Sequence, residues 1–225
     1  MPPTAGLLRR LCPVCLRPDP FICRECWGAL AWLPPGRADT IALWDYSGGA
    51  RSVVLTAKNG NRRDLLRPLG RVLGARLGVA GLEPVVVTWV PAHGKSRRRR
   101  GYDQGALLAA GVADAVGARH RRLLRRTAGR PQTGGTRAER ASGPQLAPAR
   151  GALLGPRRVA GSPLILVDDV VTTGASLDAA GKAIDDELNG RVVARLALAR
   201  VGDHHDQARF DRDGMVGGNR PVPRA

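Results

Sequence analysis

Residues 164–177 read LILVDDVVTTGASL and decide the fold class. The stretch opens with an apolar run of strand length that ends in two adjacent carboxylates, Asp168 and Asp169. A turn of Thr, Gly, Ala and Ser follows, and beyond it apolar residues recur at helical spacing. A strand that passes through a tight turn into a helix is the building unit of parallel sheets, so an α/β fold is expected.

The turn after the two acids predicts a binding site. It would place backbone N–H groups and up to three hydroxyls at a helix N-terminus, an arrangement that binds phosphate. The carboxylates lie where open α/β sheets bind ligands, and they can accept hydrogen bonds from sugar hydroxyls or hold Mg²⁺. A sugar phosphate would satisfy both groups. An ordinary strand-to-helix turn with capping Ser/Thr and two surface acids is the alternative.

The rest of the chain alternates strand-like and helix-like segments. Strands are predicted at residues 41–46, 84–90 and 191–199, and helices at residues 50–58, 64–77 and 103–116. Residues 91–100 are predicted to be a basic loop and 128–148 a long loop, while residues 119–127 remain ambiguous. Strands that alternate with helices predict a parallel, doubly wound sheet.

Three units are predicted along the chain. Residues 1–36 hold a cysteine module and a linker, and residues 37–201 form the α/β domain. Residues 202–225 show no periodicity and are predicted to be a disordered tail.

The chain is strongly basic, with a formal net charge of +17. Residues 91–160 hold 16 Lys and Arg against three acids. Such a local surplus attracts polyanions, either a substrate that bears a pyrophosphate or a nucleic acid. No apolar run reaches membrane-spanning length, and the first residues lack the apolar core of a secretory signal, so a cytoplasmic location is expected.

Cys12, Cys15, Cys23 and Cys26 form two C-x-x-C pairs separated by seven residues. Each pair can bring two thiolates to one ion, which is typical of a tetrahedral four-sulfur Zn²⁺ site, and cytoplasmic thiols stay reduced. With four protein ligands, such a zinc ion would be structural. A redox-active C-x-x-C pair and a disulfide bond are the alternatives.

The segment at 164–177 resembles the signature of the type I phosphoribosyltransferases, which recognise 5-phosphoribosyl-1-pyrophosphate. The resemblance implies that Asp168 and Asp169 contact the ribose hydroxyls, as the candidate catalytic residues, and that Mg²⁺ accompanies the ligand. The phosphoribosyl-binding positions it implies are Asp168, Asp169, Val171, Thr172, Thr173, Gly174, Ala175 and Ser176. It also implies that the loop after residues 84–90 handles the pyrophosphate, through Lys95, Arg97, Arg98, Arg99 and Arg100.

Further motifs narrow the resemblance to the ComF family, small bacterial phosphoribosyltransferase-like proteins of which some are linked to DNA uptake during competence. The motifs are the four cysteines, a helical Lys, Arg-Gly-aromatic-x-Gln, Leu-Leu-x-Arg, Pro-Gln-Thr-Gly and the Asp-Asp segment, in that order. The family-pattern polar residues are Lys58, Arg100, Gln104, Arg126, Gln132 and Arg140. The chain departs from the family at Asp103, where Asn is usual, and at Gly135, where Leu is usual.

Two main functions follow from the resemblance. The first is binding of phosphoribosyl pyrophosphate with Mg²⁺ and transfer of the phosphoribosyl group to an unidentified acceptor. The second is an accessory role in DNA uptake, with binding of single-stranded DNA and contacts to proteins of the uptake machinery. Four Trp, two Tyr and two Phe offer few stacking platforms for a single strand, which disfavours the second. A third hypothesis is that the protein is a regulator that senses the ligand.

Overall fold

Five parallel strands form the central sheet. The computed structural model describes residues 10–34, 40–59, 62–78, 86–127, 144–153 and 159–202. The sheet order is β1-β7-β6-β2-β3, and every neighbouring pair is parallel. These strands are β1 (Ile41–Asp45), β2 (Val86–Trp89), β3 (Arg119–His120), β6 (Pro163–Val171) and β7 (Arg191–Arg200). A separate antiparallel pair consists of β4 (Leu124–Arg126) and β5 (Leu146–Pro148).

Helices cover both faces of this sheet. The helices of the described residues are α1 (Arg24–Gly28), α2 (Gly48–Asn59), α3 (Leu66–Ala75), α4 (Gly94–Arg100), α5 (Gln104–Val116), α6 (Arg150–Leu153) and α7 (Ala175–Leu188), with a 3₁₀ turn at Arg63–Leu65. Helices α3 and α5 approach closely, since a Cβ on Gly111 would lie 2.0 Å from the Arg67 carbonyl oxygen. Within the described residues, no helix is long and apolar enough to cross a membrane.

Strand β6 divides two hydrophobic cores. Ile165 and Val167 pack with α2, α3 and α5 on one face, whereas Leu164 and Leu166 pack with α7 on the other. A strand that is buried on both faces has no polar side to show in its sequence, which explains the continuous apolar run before the two acids. The predicted class, a parallel α/β sheet covered on both faces, is confirmed.

The predicted basic loop at residues 91–100 is wrong in part, because Gly94–Arg100 forms α4. Lys and Arg favour helix, and both helix ends are capped. The His93 side chain accepts a hydrogen bond from the Lys95 N–H at 3.3 Å, and Gly101 closes the helix in the left-handed region at φ 77°. The predicted long loop is also interrupted, since residues 146–148 form β5.

The cysteine module, residues 10–34, packs directly against the α/β unit. Cys12, Ile22, Trp27 and Leu30 belong to the same buried cluster as residues of β1, α2 and α3. The predicted boundary after residue 36 lies outside the described residues, as do residues 203–225 of the predicted tail 202–225, so this division of the chain stays a prediction.

Candidate functional site

A cavity of about 420 Å³ opens at the carboxyl end of the sheet. Its wall is built by Tyr46 after β1, by the segment after β2, by the end of β6 and by the start of α7. This is the edge at which parallel α/β sheets bind ligands. Both predicted acids, Asp168 and Asp169, line it.

Asp169 is held by two side chains that come from the helices facing it. Lys58 in α2 forms an ion pair with it, with 2.7 Å between Nζ and Oδ2. Gln104 in α5 donates from Nε2 to the same oxygen at 3.3 Å, and Arg100 in turn donates to Gln104 Oε1. The Asp169 residue is 8% exposed, so the carboxylate end of these contacts is largely removed from solvent. Lys58, Gln104 and Arg100 all line the cavity, as does Asp169.

Among the described residues, no cationic side chain forms an ion pair with Asp168. Its Oδ1 accepts a hydrogen bond from the Asp169 N–H at 2.8 Å. Burial, and then the negative charge of Asp169, raise the pKa of Asp168 well above its ordinary value. A carboxyl group in such surroundings would be stabilised by a cation or by hydroxyl donors from a ligand.

The turn between β6 and α7 presents its polar groups to the same cavity. Thr172 and Ser176 line it, and Thr173 is exposed beside it. Gly174 holds a left-handed conformation at φ 80°, and the Ala175 N–H reaches Thr173 Oγ1 at 3.4 Å. Because α7 begins here, its first N–H groups and its positive dipole end lie beside these hydroxyls.

Of the five predicted pyrophosphate residues, only Arg100 lines this cavity. Helix α4 directs Ser96 and Arg100, four residues apart, together with its cap His93, to one side. Lys95, Arg97 and Arg98 are exposed and lie off the cavity wall, and Arg99 faces a second opening shared with Arg100 and Tyr102. The sequence prediction missed His93 and Ser96. If residues 94–100 had been predicted as a helix, their spacing from Arg100 (i, i+3, i+7) would have placed all three side chains on one face.

Arg126 extends from β4 to the cavity and fixes the segment after β2. Its Nε donates to the Pro91 carbonyl at 2.7 Å. Lys58, Arg100 and Arg126 therefore place three cationic side chains around the two carboxylates. Gln132 and Arg140, the other family-pattern residues, lie outside the described residues.

The four cysteines form one cluster in the N-terminal module. Their Sγ atoms all lie within 4.8 Å of one another, and Cys15 Sγ is 3.6 Å from Cys23 Sγ. Four sulfurs around Zn²⁺ at 2.3 Å would be about 3.8 Å apart, so the cluster is positioned to bind a metal ion and fits zinc. A single cluster is not expected of two independent redox or disulfide pairs.

The surroundings of Cys15 favour its thiolate form, which is the form that binds a metal ion. Arg17 donates from Nε to Cys15 Sγ at 3.4 Å, and this hydrogen bond lowers the pKa of Cys15 to about 6. Burial raises the pKa of Cys26 above its ordinary value, so metal binding there would displace a proton. Because all four positions would be filled by protein, a metal ion bound here would keep no open coordination position.

Comparisons with known proteins give matches only among solved structures. No family model matches the sequence, and no curated protein matches it. An allosteric regulatory enzyme of purine biosynthesis is 22% identical over 59% of this chain and 24% of its own, with a TM-score of 0.38. Glutamine phosphoribosylpyrophosphate amidotransferase from B. subtilis is 21% identical over 58% of this chain and 25% of its own, with a TM-score of 0.34. Adenine phosphoribosyltransferase is 19% identical over 68% of this chain and 79% of its own, with a TM-score of 0.39.

The structural neighbours thus include phosphoribosyltransferases. The chain spans about a quarter of the length of the first two. At these identities and TM-scores the likeness carries no weight for function, so a functional assignment depends on the residues around the cavity.

Proposed function

We propose that this chain is a phosphoribosyltransferase-family protein that binds 5-phosphoribosyl-1-pyrophosphate with Mg²⁺. The observation that carries the proposal is the arrangement around one cavity of two carboxylates, a helix N-terminus with hydroxyls, and three cationic side chains. A ligand with a phosphate at one end, sugar hydroxyls in the middle and a pyrophosphate at the other end would satisfy all three groups. We also propose that the protein is located in the cytoplasm.

Each part of the ligand has a partner on the wall. The 5′-phosphate would lie at residues 172–176, where N–H groups and hydroxyls meet the positive end of α7. The ribose hydroxyls would donate to Asp168 and Asp169. The pyrophosphate would lie toward Lys58 of α2 and Arg100 of α4. In this proposal, these two residues take the role that was predicted for the five basic residues of the segment after β2.

In a transfer reaction, the bond between the anomeric carbon and the pyrophosphate oxygen would break as the acceptor forms its bond to that carbon. The electron pair would leave with the pyrophosphate, and the sugar would gain oxocarbenium character. Lys58 and Arg100 would stabilise the negative charge that collects on the leaving group. Mg²⁺ bound with the ligand would offset the charge of the pyrophosphate.

Titration calorimetry tests the binding proposal. We expect saturable binding of one phosphoribosyl pyrophosphate per chain, with Mg²⁺ required for full affinity. Ribose 5-phosphate keeps the phosphate and hydroxyls but loses the pyrophosphate, so it should bind at least tenfold more weakly. Equal affinity for the two ligands would show that Lys58 and Arg100 do not bind the pyrophosphate. The absence of a heat of binding with either ligand would refute the proposal.

The exposed arginines favour a second candidate function, binding of single-stranded DNA by a ComF-type accessory protein of DNA uptake. Arg97, Arg98, Arg119, Arg122 and Arg125 are all exposed. If they contact phosphates, the logarithm of the affinity should fall with the logarithm of salt concentration by about 0.7 per contact.

Replacing Arg97 and Arg98 together by Gln is expected to reduce that slope by about 1.4, measured by fluorescence anisotropy with a labelled single strand. Arg67→Gln is the matched control, because that guanidinium is occupied by Asp114 at 2.8 Å. An affinity that does not change with salt would exclude this function.

A further inference from the structure

Arg62 fastens the cysteine module to the segment that follows α2. Its Nη1 donates to the Leu11 carbonyl at 2.6 Å, and its Nη2 donates to the Pro20 carbonyl at 2.8 Å. Leu11 directly precedes Cys12, and Pro20 lies in the hairpin between the two C-x-x-C pairs. The Arg62 side chain is only 13% exposed, so the guanidinium stem is held between the module and the segment after α2, while the two carbonyls lie at the surface.

Asp64 completes this junction. It accepts hydrogen bonds from Arg62 Nε at 3.1 Å and from Arg10 Nη1 at 2.8 Å. One carboxylate therefore pairs with an arginine of the cysteine module and with an arginine of the segment after α2. Arg62 thus uses all three of its nitrogens in charge-assisted hydrogen bonds. Lysine has a single ammonium group and cannot span the two carbonyls and the carboxylate in this way.

The module also contacts the start of α2. A Cβ on Gly49 would lie 3.1 Å from Leu30 Cδ2 and 3.3 Å from Val14 Cγ1. Val14 stands between Cys12 and Cys15. The cysteine module therefore touches α2 at its beginning and holds the chain just beyond its end.

Helix α2 is the element that carries Lys58 to the cavity. Lys58 lies in its last turn, with Nζ 2.7 Å from Asp169 Oδ2. Val53, Val54 and Ala57 of the same helix are buried in the cluster that contains Cys12. A shift of α2 relative to the sheet would therefore move Lys58 away from Asp169.

We propose that Arg62 is a positioning residue that couples the metal-loaded cysteine module to the ligand cavity by fixing where α2 places Lys58. Loss of the metal, or replacement of Arg62, then lowers the affinity of the cavity for its ligand, although no residue of the cavity wall is changed. Because such coupling is reciprocal, a ligand in the cavity also slows loss of the metal. The ligand part of this inference rests on the proposed function, whereas the coupling of the module to Lys58 does not.

Amine labelling followed by mass spectrometry tests the coupling directly, because the chain has only three lysines, Lys58, Lys95 and Lys182. The Lys58 side chain is 33% exposed and paired, whereas that of Lys182 is 80% exposed on α7. In Arg62→Gln we expect Lys58 to react several-fold faster while Lys95 and Lys182 keep their rates. Removing the metal from the wild-type protein with a chelator should raise the Lys58 rate to the same level.

Two further variants make the result specific. Arg62→Lys keeps the positive charge but loses the guanidinium group that reaches all three acceptors, so Lys58 should be labelled at an intermediate rate in this variant. Arg63→Gln changes the exposed neighbour and should behave as wild type. If Lys58 reacts at the wild-type rate in Arg62→Gln and after chelation, or if all three lysines accelerate together, the inference is overturned.

A ligand measurement separates this inference from the proposed function. With phosphoribosyl pyrophosphate and Mg²⁺, Arg62→Gln is expected to raise the dissociation constant three- to tenfold, and Arg63→Gln to leave it unchanged. If the wild-type protein itself does not bind that ligand, the proposed function fails, and the Lys58 labelling rates still decide whether Arg62 positions α2. Unchanged affinity in Arg62→Gln alongside a binding wild type would contradict the coupling.

Discussion

Replacing Asp168 by Asn is expected to abolish tight binding of phosphoribosyl pyrophosphate and, at neutral pH, to make the free protein more stable. Burial and the charge of Asp169 raise the pKa of Asp168 in the folded protein. The folded carboxyl group therefore resists ionisation, and above the ordinary carboxyl pKa of 3.8 its ionisation costs folding free energy. Below that value it is protonated in both states and costs nothing.

Calorimetric unfolding at a series of pH values measures this effect. The unfolding temperature of Asp168→Asn should exceed that of the wild type at pH 7, and the gain should vanish as the pH falls below the ordinary carboxyl pKa. Binding should weaken at least tenfold, since a hydrogen bond to a charged group contributes about 1.5–3 kcal/mol. A variant that is less stable at pH 7, or that binds as tightly as wild type, would contradict the role given to Asp168.

Two other Asp→Asn variants serve as comparisons. Asp169→Asn removes the partner of Lys58 and is expected to lower stability by about 1 kcal/mol, a discounted value because the lysine is one-third exposed. It should also weaken ligand binding. Asp186 is an exposed residue of α7, paired with Lys182 at 3.4 Å. Asp186→Asn should change stability by less than about 0.5 kcal/mol and leave binding intact.

Replacing Cys23 and Cys26 by Ser is expected to remove the bound metal and to unfold the cysteine module. Structural zinc in small modules supplies about 10–16 kcal/mol of apparent binding free energy, so binding and local folding are one process. Here the loss should spread, because Trp27 of the module packs edge-on against Trp32 at 4.9 Å and against Trp44 of β1 at 6.0 Å between ring centroids.

Tryptophan emission and elemental analysis together follow this change. Three of the four Trp lie in that contact group, and the emission of the double variant should shift to longer wavelength as water reaches them. Asp186→Asn, on the exposed side of α7, is a control that should keep metal and emission. Wild-type protein purified without chelator and free of metal would refute the zinc assignment.

The parts of the site that are local in sequence could be predicted, whereas those that need two distant elements could not. The apolar strand, the two acids and the Thr-Thr-Gly turn share one short segment, so its strand-turn-helix structure follows from spacing and turn chemistry. The pairing of Lys58 with Asp169 depends on how α2 packs against the sheet, where it contacts β7, and no local pattern specifies that packing.

Helix α4 is an exception, because the residues that decide its structure are close in sequence. Runs of Arg are compatible with a loop or a helix, and the His93 cap with Gly101 at the other end decides for the helix. The spacing of Cys12, Cys15, Cys23 and Cys26 predicts a metal cluster. The same spacing carries no sign that the module shares a core with β1 and α2, because that depends on apolar residues far along the chain.

Phosphorus NMR of phosphoribosyl pyrophosphate, titrated with the protein in the presence of Mg²⁺, tests most directly whether one cavity holds both ends of the ligand. We expect the 5′-phosphate resonance and both pyrophosphate resonances to shift with wild-type protein. With Thr172→Val plus Ser176→Ala the 5′-phosphate shift should be largely lost, and with Lys58→Gln the pyrophosphate shifts should be reduced. Resonances that stay unchanged in the presence of excess wild-type protein would show that the cavity between β2, β6 and α7 is not a phosphoribosyl site.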